Sequence, residues 1–333
     1  MSTNARVNVS NLLRQYRQGE RNFKEVKLYG ACLKKTELNR INLSRAELIA
    51  ANFAGANLIN SNFSGADLEG ANLSKAKLID ANLSQANLSG ANAVKSDMSG
   101  AILSNTILKK ADLTGAILIG ASMIFAQLFK ANLESVNLTG ATLTNAMLGK
   151  ANLEGAVLTR AILTDANLSG AYLKGVSLIR AFMYRSTLRE ANLEGANLSY
   201  ADLRLTDLRG ANLRCANLEG ANLAGANLEK VNLQGANLEG ADLSKSNLQD
   251  ANLRYANLTG CNLLSANLCD ANLSGANLHQ AGLLLTHLVG TNLKKANLKQ
   301  ANLIGAILAE TNLLAAELEE TIMPNGSLGN LAS

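Results

Sequence analysis

The sequence predicts an all-β solenoid, a parallel β-helix of stacked four-sided coils, on three observations. Every fifth residue from Phe23 to Met323 is apolar: of these 61 sites 53 are Leu, and the others are Phe23, Phe53, Phe63, Ala93, Met98, Met123, Met183 and Met323. Two places before each of them stands Ala at 43 of the 61 sites, and otherwise almost always Ser, Thr, Val or Cys, with Arg21 and Ile41 the bulky exceptions. The three remaining positions are polar. Asn or Asp dominates the second place of each five-residue group, and Ser, Thr, Glu, Lys, Arg and many of the 27 glycines fill the fourth and fifth.

First and third positions are therefore inside and the rest outside. An α-helix cannot satisfy this, because residues five apart lie roughly 140° from one another and the leucines would spiral over every face. A straight strand fails too, since an odd spacing sends alternate leucines to opposite faces. The order in, out, in, out, out is a strand whose phase resets once per group, and a reset requires a corner. If each corner turns the chain by about 90°, four groups close a coil and successive coils stack about 4.8 Å apart. The 61 groups then make a little over 15 coils, about 70 Å long, joined by right-handed parallel connections.

Runs such as Ala191-Asn192-Leu193-Glu194-Gly195 and Ala196-Asn197-Leu198-Ser199-Tyr200 resemble the A-(N/D)-L-x-x unit of pentapeptide-repeat proteins. The resemblance covers residues 21 to 325 and implies a right-handed quadrilateral β-helix. One coil buries too few side chains to offset the ordering of its own backbone, so stability must come largely from stacking. Outward asparagines one coil apart are expected to bond amide to amide in ladders.

Residues 1–20 read as an N-terminal cap. Leu12, Leu13 and Tyr16 share one face of a helix over Ser10–Gln18, with Ser10 as its N-cap and Gly19 as its stop. The run from Asn11 to Phe23 and the ending Ile322-Met323-Pro324-Asn325-Gly326 are similar to those of cyanobacterial members of the family. Residues 21–325 form the β-helix and 326–333 a C-terminal tail. Within the helix, Ala93 is expected to leave a gap between Leu73 and Leu113 unless Met98 or Val94 fills it. Pro324, the only proline, follows the last group, where it blocks one ladder bond and begins a turn with Asn325 and Gly326. This end looks thinly covered, so a homodimer through the C-terminal end is expected.

No apolar run has the length of a signal peptide or membrane span, which predicts a cytoplasmic protein. Cys32, Cys215, Cys261 and Cys269 lack metal-binding spacing and read as structural thiols, Cys261 inside and the others outside. His279 and His287 stand alone on opposite sides, no phosphate-binding loop is present, and no insertion is large enough to wall a pocket. The expectation is a non-catalytic protein with no cofactor and no metal.

The net charge is +5, concentrated at one end: residues 1–45 hold ten basic residues against Glu20, Glu25 and Glu37. The family resemblance brings with it acidic DNA mimics that occupy topoisomerases, and a topoisomerase-interacting protein of that type is the alternative reading, opposed here by the sign of the charge. Scarce aromatics at the basic end argue against nucleic acid. Glu310, Glu317, Glu319 and Glu320 make the far end acidic.

The informative departures from the repeat lie between residues 101 and 185, where outward positions turn apolar. Ile102, Ile107, Ile117, Met147, Val157, Ile162, Tyr172 and Phe182 replace the second-position Asn, and Ile119, Ile124, Phe125, Phe129, Ile179 and Tyr184 occupy fourth or fifth positions. By the 20-residue period, Ile102, Ile124, Phe125, Ile162, Phe182 and Tyr184 share one side, with Ile117, Ile119, Val157 and Ile179 on the side before it. Groups 61–65, 81–85, 101–105, 121–125 and 141–145 of the first side carry no charge. An apolar corner of this kind marks an interaction surface, so the expected function is a rigid scaffold or regulatory surface for an unidentified protein partner. The family resemblance includes cyanobacterial members tied to developmental control.

Overall fold

The computed structural model describes residues 8–329. Residues 1–7 of the expected cap, Arg6 among them, and 330–333 of the expected tail lie outside the described residues. The chain falls into two compact units that adjoin in sequence at Ile162 and Leu163, and each is a β-helix solenoid built on the same coil. Parallel bridges join each second-position residue to the one 20 residues later, from Asn22↔Asn42 to Thr142↔Ile162 in the first unit and from Asn167↔Thr187 to Asn302↔Ile322 in the second. Four groups thus make one coil. Side I comprises the groups beginning at 21, 41, 61 and so on, and sides II, III and IV begin 5, 10 and 15 residues later.

Every backbone N–H of a consensus group has a partner, which is what a buried polar backbone demands. The group Ala51–Gly55 shows the scheme. The second residue donates to the previous coil (Asn52 N to Ala31 O, 2.8 Å), and the third and fifth donate to the next (Phe53 N to Asn72 O, 2.7 Å; Gly55 N to Ser74 O, 2.8 Å). The first residue of each group donates across the preceding corner, as Ala51 N does to Leu48 O at 2.9 Å. The fourth N–H is taken by the second-position side chain: Ala54 N donates to Asn52 Oδ1 at 3.0 Å. Asparagine is therefore a structural cap as well as an outward polar residue. The amide ladders form as well, for example along side IV, where Asn257 Nδ2 donates to Asn237 Oδ1 at 3.0 Å and Asn297 Nδ2 to Asn277 Oδ1 at 2.9 Å.

The corner that resets the strand phase is the fifth residue, which sits in the left-handed region. Gly55 has φ +65°, and residues as bulky as Phe125 and Tyr255 adopt φ +57° at the same place. A β-turn with φ > 0 at its third residue bends the chain after two inward residues, and the next group restarts the alternation.

First and third positions fill the core of each unit and are almost all fully buried. Phe53 and Phe63 meet edge to face, with ring centroids 5.8 Å apart at 89°. Ala93 keeps its bond to Asp112 O at 2.7 Å, and Met98 is fully buried. Cys261 is buried, and burial pushes its thiol up to about 12. Buried hydroxyls at first positions reach carbonyls, as Thr286 Oγ1 does to Leu263 O at 2.9 Å. Ser186 Oγ is buried with no partner. Ser186→Ala keeps the volume and removes an unsatisfied group, so it is expected to raise stability by about 1 kcal/mol in denaturant titration; a loss would mean that the hydroxyl is bonded.

One helix, α1 (Val9–Arg17), covers the first coil with Leu12 fully buried. Its N-cap is Asn8, not Ser10: the Asn8 side chain accepts from Asn11 N at 2.9 Å, whereas Ser10 already lies inside the helix. Gly19, at φ +101°, ends it. The Tyr16 hydroxyl donates to Asn39 O at 2.9 Å, and the Arg21 guanidinium stacks 3.8 Å above the Tyr16 ring. At the exit the Glu20 carboxylate accepts from the N–H groups of Arg21 and Asn22, and those bonds hold its carboxyl below the usual range.

At the other end a two-stranded antiparallel hairpin, β1 (Thr321–Ile322) and β2 (Leu328–Gly329), folds back from the last coil. Its turn is Met323-Pro324-Asn325-Gly326, closed by Gly326 N to Met323 O at 2.9 Å. The hairpin leaves Leu308, Leu313, Leu318 and Met323 only half-buried. Among the described residues no backbone acceptor faces the N–H groups of Leu308, Glu310, Leu313, Ala315, Leu318 and Glu320.

Candidate protein-docking face

In the first unit the coils between residues 101 and 160 bring the outward apolar side chains onto three successive sides. Ile117, Ile119 and Val157 are exposed on side IV. Ile102, Phe125 and Ile162 are exposed on side I, with Ile124 half-buried beside them. Phe129 and Met147 are exposed on side II, next to half-buried Ile107. The bridges Asn82↔Ile102↔Ser122↔Thr142↔Ile162 hold the second positions of side I in one column, so these side chains stand about 4.8 Å per coil apart on a flat wall.

The second unit differs. Phe182 is exposed and Ile179 and Tyr184 are half-buried, but Tyr184 is not in an uncharged setting. Arg185 and Arg204 lie 5.1 and 5.6 Å from its ring centroid. Arg185 grips Asp165 through two bonds of 2.8 Å, and Arg204 pairs with Asp202. Those side-chain bonds hold both carboxyls below their usual range. On side I the apolar side chains cluster at Ile102, Ile124 and Phe125, group 141–145 then presents Thr142, Thr144 and Asn145 before Ile162, and Tyr184 of the second unit sits among arginine–carboxylate pairs.

Two features escaped the sequence reading. The first is the cap: Ile102, Ile107, Ile117 and Val157 have no side-chain acceptor to offer the fourth N–H of their groups. Each apolar replacement therefore forgoes a bond of about 1 kcal/mol. The second is another uncharged stretch, on side I of the second unit, where groups 261–265, 281–285, 301–305 and 321–325 carry no charge and expose Leu285 and Ile304 beside half-buried Leu264 and Leu284. Comparing groups 20 residues apart would have found it.

His279 has a partner after all, its Nδ1 lying 3.0 Å from Lys299 O, and His287 stands on side II. Among the described residues no group of three His, Cys, Asp or Glu is placed to hold a metal ion, and no helix is long and apolar enough to cross a membrane. At the basic end Lys27 pairs with Glu47 and Arg45 with Glu25, while Lys34, Lys35 and Lys75 line an open groove.

Against protein-family models the sequence matches pentapeptide repeats (8 copies) over residues 36–74, 66–105, 96–134, 137–175, 171–210, 186–223, 211–250, 246–283 and 286–323. No curated protein matches it. Among solved structures it is similar to HetL, a pentapeptide repeat protein involved in heterocyst differentiation regulation from the cyanobacterium Nostoc, at 27% identity over 97% of this chain and 99% of that one, with a TM-score of 0.21. A pentapeptide repeat protein from the Arabidopsis thaliana thylakoid lumen is 33% identical over 31% of this chain and 68% of its own, with a TM-score of 0.21. Full-length QnrB1, a plasmid-mediated fluoroquinolone resistance protein, is 17% identical over 86% of this chain and 92% of its own, with a TM-score of 0.17. At these scores the superpositions carry no argument about function.

Proposed function

This chain belongs to the pentapeptide-repeat family, and from that premise we propose that it is a non-catalytic, cytoplasmic scaffold or regulatory protein whose outer wall docks another protein. The docking site comprises Ile102, Ile117, Ile119, Ile124, Phe125, Phe129, Val157 and Ile162, with Ile179, Phe182 and Tyr184 as its extension. One observation carries the reading: across groups 101–110, 116–130 and 136–150 there is no Asp or Glu, while isoleucines stand where Asn would cap the backbone. Residues that drift freely do not concentrate where the fold loses bonds by having them. The same reading takes the solenoid as right-handed and quadrilateral, with about 15 coils, and the half-open C-terminal coil as a contact between two copies. The alternative, an acidic DNA mimic acting on topoisomerases, runs against the Arg185, Arg204, Arg209 and Arg214 pairs that neutralise Asp165, Asp202, Asp207 and Glu194.

Affinity capture from the native cell with wild type and Phe125→Glu tests the proposal. Glutamate already occupies fifth positions at φ 54–59°, as Glu25, Glu190, Glu310 and Glu320 show, so the variant is expected to melt like wild type. Recovery of the partner is expected to fall at least about tenfold, because a charge at the centre of a desolvated patch is left unpaired. Equal recovery by both proteins rejects the site.

A further inference from the structure

Resting on that docking reading, the charges at its edge name the chemistry of the partner. At the corner between sides II and III the fifth positions of three successive coils are Lys110, Lys130 and Lys150, with Lys109 beside the first. All four are exposed, and none forms an ion pair with a described residue. Backbone bonds fix the register of this column: Lys110 N donates to Phe129 O and Lys130 N to Gly149 O, each at 3.1 Å. Like charges stacked at adjacent strand positions repel. The acids of these coils, Asp112, Glu134 and Glu154, all stand on side III, and Asp112 is engaged with Thr114 and Asn132.

The lysines border the apolar wall on one edge only. Phe129 lies against Lys130, whose ammonium is 5.5 Å from the ring centroid, and Met147 and Phe125 follow towards side I. On the opposite edge, the corner between sides IV and I carries Gly100, Gly120 and Gly140 beside these coils, and exposed Arg160 only one coil further on.

We infer that this face receives an amphipathic α-helix of a partner protein, its apolar stripe on Phe125, Phe129, Met147 and Ile102 and a row of carboxylates along one flank facing Lys110, Lys130 and Lys150. The spacings agree. Acids at i, i+4 and i+7 of a helix climb about 5.4 Å per turn, the lysines about 4.8 Å per coil, so three pairs drift by only about 1 Å. A bilayer or a phosphate backbone is charged across its whole surface and has no counterpart for the uncharged groups 101–105, 121–125 and 141–145 of side I and 116–120 and 136–140 of side IV.

Fluorescence anisotropy of the full chain tests this, with a labelled helical peptide of about five turns bearing a Leu/Phe stripe flanked by Glu. The controls are a scrambled peptide of equal composition, vesicles of phosphatidylserine in phosphatidylcholine, and single-stranded DNA. The amphipathic peptide is expected to bind at least about tenfold more tightly than its scramble, and to lose that margin in K110E/K130E/K150E and at high salt. Equal binding of both peptides, or binding of the vesicles or DNA alone, overturns the inference. In the cell-capture experiment, partner loss with Phe125→Glu but not with the triple variant rejects the acidic helix and leaves the docking face standing. Loss with neither rejects both.

Discussion

Phe63→Ala is expected to destabilise the first unit by about 3–5 kcal/mol, an effect matched only by truncations of comparably large buried side chains such as Phe53. Phe53 and Phe63 are the largest fully buried side chains, and each fills space that a leucine fills in other coils. Their edge-to-face contact, at 5.8 Å between centroids, adds to the burial. Truncation opens a cavity in a core pinned by coil-to-coil bonds on both sides: Phe63 N donates to Asn82 O at 2.7 Å and Asn62 N to Ile41 O at 2.8 Å. The backbone therefore cannot collapse into the gap. Phe63→Leu, which restores the residue usual at this position, is the control and is expected to recover most of the loss. Because each coil contacts only its neighbours, hydrogen exchange should localise the damage to the coils between residues 41 and 85. A cost near 1 kcal/mol for the alanine variant would mean that the two rings are loosely packed.

Asn257→Pro is expected to cost more than about 3 kcal/mol and to abolish exchange protection in the adjoining coils. The Asn257 backbone N–H donates to Ala236 O at 2.9 Å, and proline removes that donor while placing its ring against the neighbouring chain. It also deletes a side chain whose Nδ2 donates to Asn237 Oδ1 at 3.0 Å and whose Oδ1 caps Thr259 N at 3.2 Å. Asn257→Ala separates the two contributions, since it loses only the side-chain bonds and is expected to cost about 1–3 kcal/mol. The molecule already contains the comparison. Gly282 occupies a second position with no side chain and keeps its N–H on Cys261 O at 2.9 Å, whereas proline occurs once, at Pro324, a fourth position of the last group where no coil-to-coil N–H is needed. Similar losses from both substitutions would show that the amide ladder, not the backbone bond, holds the coils together.

The leucine frame made the coil legible because burial selects strongly at the third position, where anything polar would be stranded. The fifth position is a different matter. Glycine is common there, yet Gly55, Lys75, Phe125 and Leu205 all adopt φ between 56° and 65°, so inter-coil bonds impose the corner on residues that do not favour it and residue type marks it only in part. The Asn cap was hidden for a related reason: an outward asparagine looks solvated until its Oδ1 is found on the fourth N–H. Ser10 and Asn8 are both good caps, and only Leu12 settling on the first coil decides between them. The docking residues showed as breaks in the pattern, yet their lysine edge did not, because Lys110, Lys130 and Lys150 become neighbours only when groups 20 residues apart are compared on side II.

The bonding scheme of a single group also makes the stack electrically directional. Two of its inter-coil N–H groups point towards the C-terminal end and one towards the other, so each coil adds four aligned peptide dipoles, in the manner of an α-helix but with the N–H-rich pole at the chain's end. Glu310, Glu317, Glu319 and Glu320 crowd that pole in the second unit, where anions gain from the field. Arg21, Lys24 and Lys27 sit at the carbonyl-rich pole of the first, where cations do.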